Sequence, residues 1–267
     1  MVEFIDIQVT NICNRTCPWC PPYKLGQIYE EKLIDFDIIN KLVMSINNDR
    51  HLFGDNLLIK IGRFGEPLLN FDYVYSVAKF LKDNINMSFK LQLNTNGDCL
   101  NKIDIRLLNI FDMVFISRYN VNEEYNQALI NIFNIFHINS MPYHNKSKKT
   151  CSFFYNNTLI KYRYQYNTVM YATTRGGMLS FEDNEINFIR KNIRDNMCDI
   201  IGRFLTIDSN GECFPCCELT SMISQHKSMS CGNLKLLTIS QILNKINKLT
   251  FNSICKTCTA TIRDFIE

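Results

Sequence analysis

The chain has 267 residues, 46% of them apolar and 21% charged, and its 29 lysines and arginines stand against 26 acids. This composition excludes a disordered chain, which needs fewer apolar residues and more net charge, and a net charge of +3 supplies no positive stripe for a nucleic-acid clamp. No run of 18 apolar residues is present to span a membrane, and the opening residues carry Glu3 and Asp6 where a secretory signal is basic, so a cytoplasmic setting without nucleic-acid or membrane partners is expected.

In chain order, Glu3–Thr10 alternates polar and apolar residues as a strand does, and Pro18, Pro21 and Pro22 then forbid a helix, leaving a loop over residues 11–22. Asp35–Asn48 has helical spacing with an acid at its start. A short apolar strand at Leu57–Ile61 ends at Gly62, and Asp72–Leu81 reads as helix. Ser88–Leu93 alternates again, Asn101–Ile110 reads as helix, Met113–Ser117 as a buried strand and Val121–Phe136 as helix. Beyond residue 139 the pattern weakens. A strand at Leu159–Gln165, a helix near Ile186–Arg194, a strand and hairpin turn at Phe204–Gly211 and a helix at Ile239–Lys248 are the remaining expectations. Strands that alternate with helices indicate βα units around a parallel sheet or barrel, whose chemistry sits on the loops after the strands.

Four polar segments fall on such loops: Cys13–Cys20, Gly65-Glu66, Thr95-Asn96-Gly97 and Ser117-Arg118. Twelve cysteines in a chain with no need of disulfide staples point to metal or redox chemistry. Cys13, Cys17 and Cys20 supply three thiolates from one loop. Structural zinc takes four ligands, whereas three can hold a cubane iron–sulfur cluster and leave one iron open.

The spacing CxxxCxxC after a first strand, with the aromatic Trp19 before the third cysteine, resembles the radical S-adenosylmethionine (SAM) enzymes. The resemblance implies a partial (β/α)6 TIM-like barrel, a [4Fe–4S] cluster on Cys13, Cys17 and Cys20, and SAM on its open iron. It further implies that Gly65 and Glu66 hold the SAM amino group, and that Thr95, Asn96, Ser117, Arg118 and Arg175 are SAM-binding. An external one-electron reductant of the flavodoxin or ferredoxin type would feed the cluster.

Cys198, Gly211, Cys216, Cys255 and Cys258, with Gly232-Asn233-Leu234 between them, resemble the C-terminal SPASM and twitch extension of the same enzymes. Nine residues follow Cys258 and none is cysteine, which favours the shorter twitch form with one auxiliary [4Fe–4S] cluster on Cys198, Cys216, Cys255 and Cys258. Residues 1–190 would then form the barrel and 191–267 the cysteine-rich extension, a β-hairpin plus helix. A zinc ribbon on Cys213-x2-Cys216 and Cys255-x2-Cys258 is the competing assignment. Cys213, Cys217 and Cys231 remain as candidate hydrogen-atom donors, and the choice of Cys216 over Cys213 and Cys217 rests on the Gly-x4-Cys spacing.

The resemblance implies hydrogen abstraction from a substrate C–H bond. The first strand begins by residue 3, which leaves no room for a peptide-recognition domain and favours dehydrogenation of a small sugar- or aminocyclitol-like molecule. Epimerisation or cross-linking of a ribosomal peptide is the alternative. A non-enzymatic zinc- or cluster-binding interaction module is the second.

Overall fold

A computed structural model describes residues 1–17, 20, 30–119, 125–139, 144–145, 150–165, 198, 200–249 and 258. The first strand β1 (Val2–Ile7) leads into the cysteine loop, and helix α1 (Phe36–Asn48) returns the chain to strand β2 (Phe53–Ile61). Helix α2 (Phe71–Asn84), strand β3 (Phe89–Thr95) and strand β4 (Met113–Tyr119) follow. Next come helix α3 (Tyr125–Ile135) and strands β5 (His144–Asn145), β6 (Thr150–Tyr155) and β7 (Thr158–Gln165). Strands β8 (Phe204–Ile207), β9 (Glu212–Phe214) and β10 (Gly232–Asn233) and helix α4 (Ile239–Asn247) close the described chain.

The strands form one open sheet in the order β10-β9-β8-β1-β2-β3-β4-β7-β6-β5. From β8 to β7 every neighbouring pair is parallel, so the described residues give six parallel strands flanked by antiparallel hairpins. This is the mixed α/β architecture expected of the sequence, with a sheet that does not close. Strand β8, expected as part of a C-terminal hairpin, pairs with β1 over Phe4–Ile7 and so extends the same sheet.

The two faces of the sheet differ in chemistry. On one face Ile5, Ile7, Ile59, Ile61, Leu91, Leu93, Val114, Ile116 and Ile160 are fully buried with the apolar stripes of α1 and α2 in a single core. Burial of each such side chain contributes roughly 1.5–3 kcal/mol, which fixes the register because a one-residue slip would turn them outward. The alternate residues, among them Asp6, Lys60, Asn94, Ser117 and Arg163, face the inner side and line cavities. A parallel strand covered on both faces reads as a continuous apolar run, so this alternation marks an inner face kept for a ligand.

Two expectations need correction. Asn101–Ile110 is not an α-helix but two 3-10 turns, Leu100–Lys102 and Ile105–Ile110. The break falls at Asp104, whose side chain accepts the Arg106 N–H and competes with helical bonding. Strand β6 was not anticipated; it joins β7 through Asn156, which has a left-handed φ of 52°. The helix expected near Ile186–Arg194 lies outside the described residues.

Candidate functional site

Strand β1 ends in the cysteine loop, and the loop after β2 passes directly beneath it. The Glu66 N–H donates to the Ile12 carbonyl at 2.8 Å. At Gly65 a Cβ would stand 2.2 Å from the Thr10 carbonyl oxygen, so only glycine permits this approach. Glu66 is thereby carried to the floor of a cavity of about 310 Å3 with Cys13, Cys17, Cys20, Gly65, Thr95, Asn96 and Ser117 in its wall.

Glu66 is 1% exposed. Its Oε1 accepts from the Thr95 hydroxyl at 2.6 Å and the Leu68 N–H at 3.0 Å, and its Oε2 accepts from the Asn96 N–H at 2.7 Å. Burial pushes its carboxyl above the usual carboxylate range, and these three donors only partly offset the push. A cationic group arriving in the cavity would favour the charged form. Oε2, with one donor from the chain, keeps acceptor capacity for it.

Asp98 ties the cysteine loop and its own loop after β3 to strand β4. Its carboxylate accepts two parallel bonds from Arg15, at 2.6 and 2.5 Å, one from Asn14 at 2.9 Å and one from Arg118 at 3.0 Å. Asn96 completes the junction, donating to the Asn14 side-chain oxygen and accepting the Asp98 N–H. Burial opposes the Asp98 charge, but the Arg15 bonds and charge, the Asn14 bond and the Arg118 charge outweigh it and hold the carboxyl below its ordinary range. Burial likewise pushes the Cys13 and Cys17 thiols up, with the Arg15 charge working in the opposite sense. Among the described residues no three Cys, His, Asp or Glu side chains close into a metal cage; the three thiols instead line the cavity wall. Three soft donors beside an open space are the ligand chemistry of an iron–sulfur cluster with a free coordination position.

Arg63 connects this cavity to the C-terminal segment. Its side chain is 3% exposed and its backbone has a φ of 107°, in the left-handed region that non-glycine residues rarely occupy. The guanidinium donates to Asp208 at 2.5 Å, to the Cys217 carbonyl at 2.8 Å and to the Leu219 carbonyl at 2.5 Å, and stands 3.6 Å from Asp6. Asp208 also accepts from the Thr220 hydroxyl and from the N–H and hydroxyl of Ser221. The chain around Cys216 and Cys217 is therefore fastened to the end of β2.

Cys198, Cys216 and Cys258 pack on one small apolar cluster formed by Ile200, Phe204 and Cys217. Burial pushes the Cys216 thiol well up, and its proximity to Cys258, Glu218 and Cys198 adds to the shift. Three of the four expected auxiliary ligands therefore touch one cluster without closing into a metal cage among the described residues, and thiols are the donor type an iron–sulfur group takes. Cys217 lines the first cavity. Cys213 and Cys231 do not reach it: they are buried in the main core, and their thiols point at the carbonyls of Gly211 and Met229. Trp19, Arg175 and Cys255 lie outside the described residues.

Sequence reasoning missed Asn14, Arg15, Arg63, Asp98 and Asp208. Arg15 lies inside the cysteine motif and Asp98 directly follows Asn96-Gly97, so position was their only signal.

The family model of the SPASM iron–sulfur cluster-binding domain matches residues 198–259. No curated protein matches the chain. Among solved structures, BtrN in complex with AdoMet and 2-DOIA aligns over 97% of this chain and 94% of its own, with a TM-score of 0.66 at 18% identity. AnSMEcpe with bound AdoMet aligns over 98% and 90%, with a TM-score of 0.54 at 12% identity. The same protein with AdoMet and the Cp18Cys peptide gives 0.50 at 14% identity over 98% and 90%. The domain match at the C-terminal cysteines and the fold shared with AdoMet-bound proteins bear out the resemblance to the SPASM and twitch branch of the radical SAM enzymes.

Proposed function

We propose that this chain is a radical SAM enzyme that cleaves SAM reductively and uses the product to abstract a hydrogen atom from a substrate C–H bond. The observation that carries the reading is the meeting of Cys13, Cys17, Cys20, Glu66, Asn96 and Ser117 around one cavity, from three separate loops and the end of strand β4. Cys13, Cys17 and Cys20 would hold a [4Fe–4S] cluster, and Cys198, Cys216, Cys255 and Cys258 a second. When bound, the first supplies the electron that splits SAM into methionine and a 5′-deoxyadenosyl radical, and the second an acceptor for the electron that a dehydrogenation releases.

The chain's own residues orient the reaction. Glu66 Oε2 accepts from the SAM ammonium, a charge-assisted bond strengthened by burial. Ser117 meets the SAM ribose from the end of β4, while Arg118, the next residue along the strand and not part of the cavity wall, is paired with Asp98 and supports that edge of the site. Trp19 and Arg175 complete the SAM contacts in this reading. A cytoplasmic setting suits it, since reducing conditions keep the thiols available.

Dehydrogenation of a small polar molecule is the favoured outcome, supported by the likeness to BtrN with AdoMet and 2-DOIA. Epimerisation is a second reading, favoured by one observation: Cys217 is a buried thiol in the cavity wall. Its S–H would return a hydrogen atom to the substrate radical, leaving a sulfur radical. One electron from a flavodoxin- or ferredoxin-type reductant and one proton would then restore it. Peptide modification is supported by the likeness to anSMEcpe with its peptide.

The test is anaerobic reconstitution, reduction in the presence of SAM, and assay of 5′-deoxyadenosine with iron, sulfide and zinc analysis. Deoxyadenosine formed by the wild type and abolished in Cys17→Ala, with about eight irons per chain, is the expected result for two four-iron clusters. Zinc in place of iron, without SAM binding, would overturn the reading.

A further inference from the structure

The inner face of the sheet continues from the SAM-facing cavity into a second space of about 560 Å3, and the two share Lys60, Arg63, Asn94 and Ser117 in their walls. This volume suits a small molecule. Its wall is unevenly charged. Arg63 is committed to Asp6 and Asp208, and at the rim the exposed Asp55 and Lys90 offset each other. Lys60, Lys161 and Arg163 bring three more cationic side chains to the wall, and its other described residues are neutral. Each of these three also makes contacts of its own within the chain, so the sign of the wall matters here and not any vacancy at a side chain.

The register puts the cations where a substrate would lie. Lys161 pairs with Phe115 and Arg163 with Ser117, one strand away from the SAM-facing loop end. The Arg163 guanidinium stands 5.0 Å from the centre of the Phe115 ring, a cation–π contact at the wall. Lys60, 8% exposed, lies with its ammonium 5.5 and 5.9 Å from the centres of the stacked Phe4 and Phe204 rings. Lys60 is buried and Lys161 and Arg163 are half-buried, and cations partly withdrawn from water attract an anion more strongly than fully exposed ones do. A guanidinium fork beside an ammonium matches a planar carboxylate or a phosphate.

We infer that the substrate is a small anionic molecule whose phosphate or carboxylate group is held by Lys161 and Arg163, with its polar body along Gln92 and Asn94 toward Ser117. The assignment rests on the reading of the adjoining cavity as the SAM site, and it narrows the substrate of that reaction by charge.

The test is calorimetry on the full chain, reconstituted without oxygen and saturated with SAM, using glucose 6-phosphate, glucuronate and glucose as probes. One or both anions should bind at least tenfold more tightly than glucose, more weakly as salt is raised, and which of the two wins separates phosphate from carboxylate. Lys161→Gln with Arg163→Gln should remove that preference, and Lys161→Arg should retain it. SAM binding, measured on the same samples, reports that each variant is folded. Equal binding of glucose and both anions, or an undiminished preference in a double variant that still binds SAM, would overturn the inference. SAM cleavage without anion preference would sink the inference alone. Anion preference without SAM binding or cleavage would sink the radical reading and leave a basic small-molecule site.

Discussion

Asp98 shows what one side chain does at the cavity rim. Its carboxylate is the point at which Asn14 and Arg15 of the cysteine loop, Asn96 of the third loop and Arg118 of the fourth strand are held together. Asp98→Asn keeps the shape and removes the charge, and bonds to an ionised acceptor contribute about 1.5–3 kcal/mol. Partial exposure screens them, so a loss of about 1–2 kcal/mol is expected at neutral pH. Because the folded carboxyl is held below its unfolded value, this stabilisation is complete above an unfolded pKa of about 3.9 and disappears as pH falls through the folded value. Urea midpoints of the metal-free wild type and variant should therefore differ at pH 7 and converge toward pH 3. A constant difference across that range would mean that shape, not charge, holds the loops. None of this was legible in the sequence, because Arg15 and Asp98 are ordinary charged residues 83 positions apart. The cysteines and Glu66 were legible because their chemistry demands residue types at fixed spacings.

At the scale of elements, the hairpin β8–β9 delivers Cys216 to its neighbours, and its turn depends on Gly211. That residue has a φ of 86°, and a Cβ there would stand 2.9 Å from both Asn233 Oδ1 and Ile38 Cδ1. The left-handed backbone costs an L-residue roughly 1–2 kcal/mol, and the two side-chain contacts must give way as well. Gly211→Ala should lower stability by about 2 kcal/mol. In the two-cluster reading it should also lower iron from about eight toward four per chain while deoxyadenosine formation persists. A full iron content in the variant would show that the turn does not govern the auxiliary site. Gly211 was readable from sequence as a hairpin glycine because it closes an apolar run. The 3-10 turns over Leu100–Ile110 were not, since apolar spacing alone does not register that Asp104 bonds its own backbone neighbour. Strand β6 escaped because Thr150–Tyr155 alternates only weakly, although Asn156-Asn157 after it is a turn signal.

At the scale of the whole molecule, Arg63 is what joins the cavity lined by Cys13, Cys17 and Cys20 to the chain around Cys216 and Cys217. It leaves the end of β2 in a strained conformation and spends its donors on Asp208, Cys217 and Leu219, more than 140 residues further along the chain. Strain of this kind persists only where the surroundings over-determine it, and here the surroundings are a buried ion pair and two carbonyls. Arg63→Met would leave Asp208, 1% exposed, as a buried carboxylate without its cation, a change that costs about 3–5 kcal/mol. Asp208→Asn alone should cost less, because Thr220 and Ser221 still donate to the remaining side chain. The double variant should be more stable than the sum of the two losses predicts, with a coupling of about 1–3 kcal/mol. Melting of the four proteins measures it, and additive losses would show that Arg63 acts through the carbonyls and not through the pair. In the two-cluster reading, the spectrum of the auxiliary cluster supplies the second readout: Arg63 holds the carbonyl of Cys217, next to Cys216, so Arg63→Met should shift that cluster's signal before it alters the one assigned to Cys13, Cys17 and Cys20. If the two signals shift together, the variant has loosened the sheet as a whole, and Arg63 supports the fold without singling out the C-terminal cysteines.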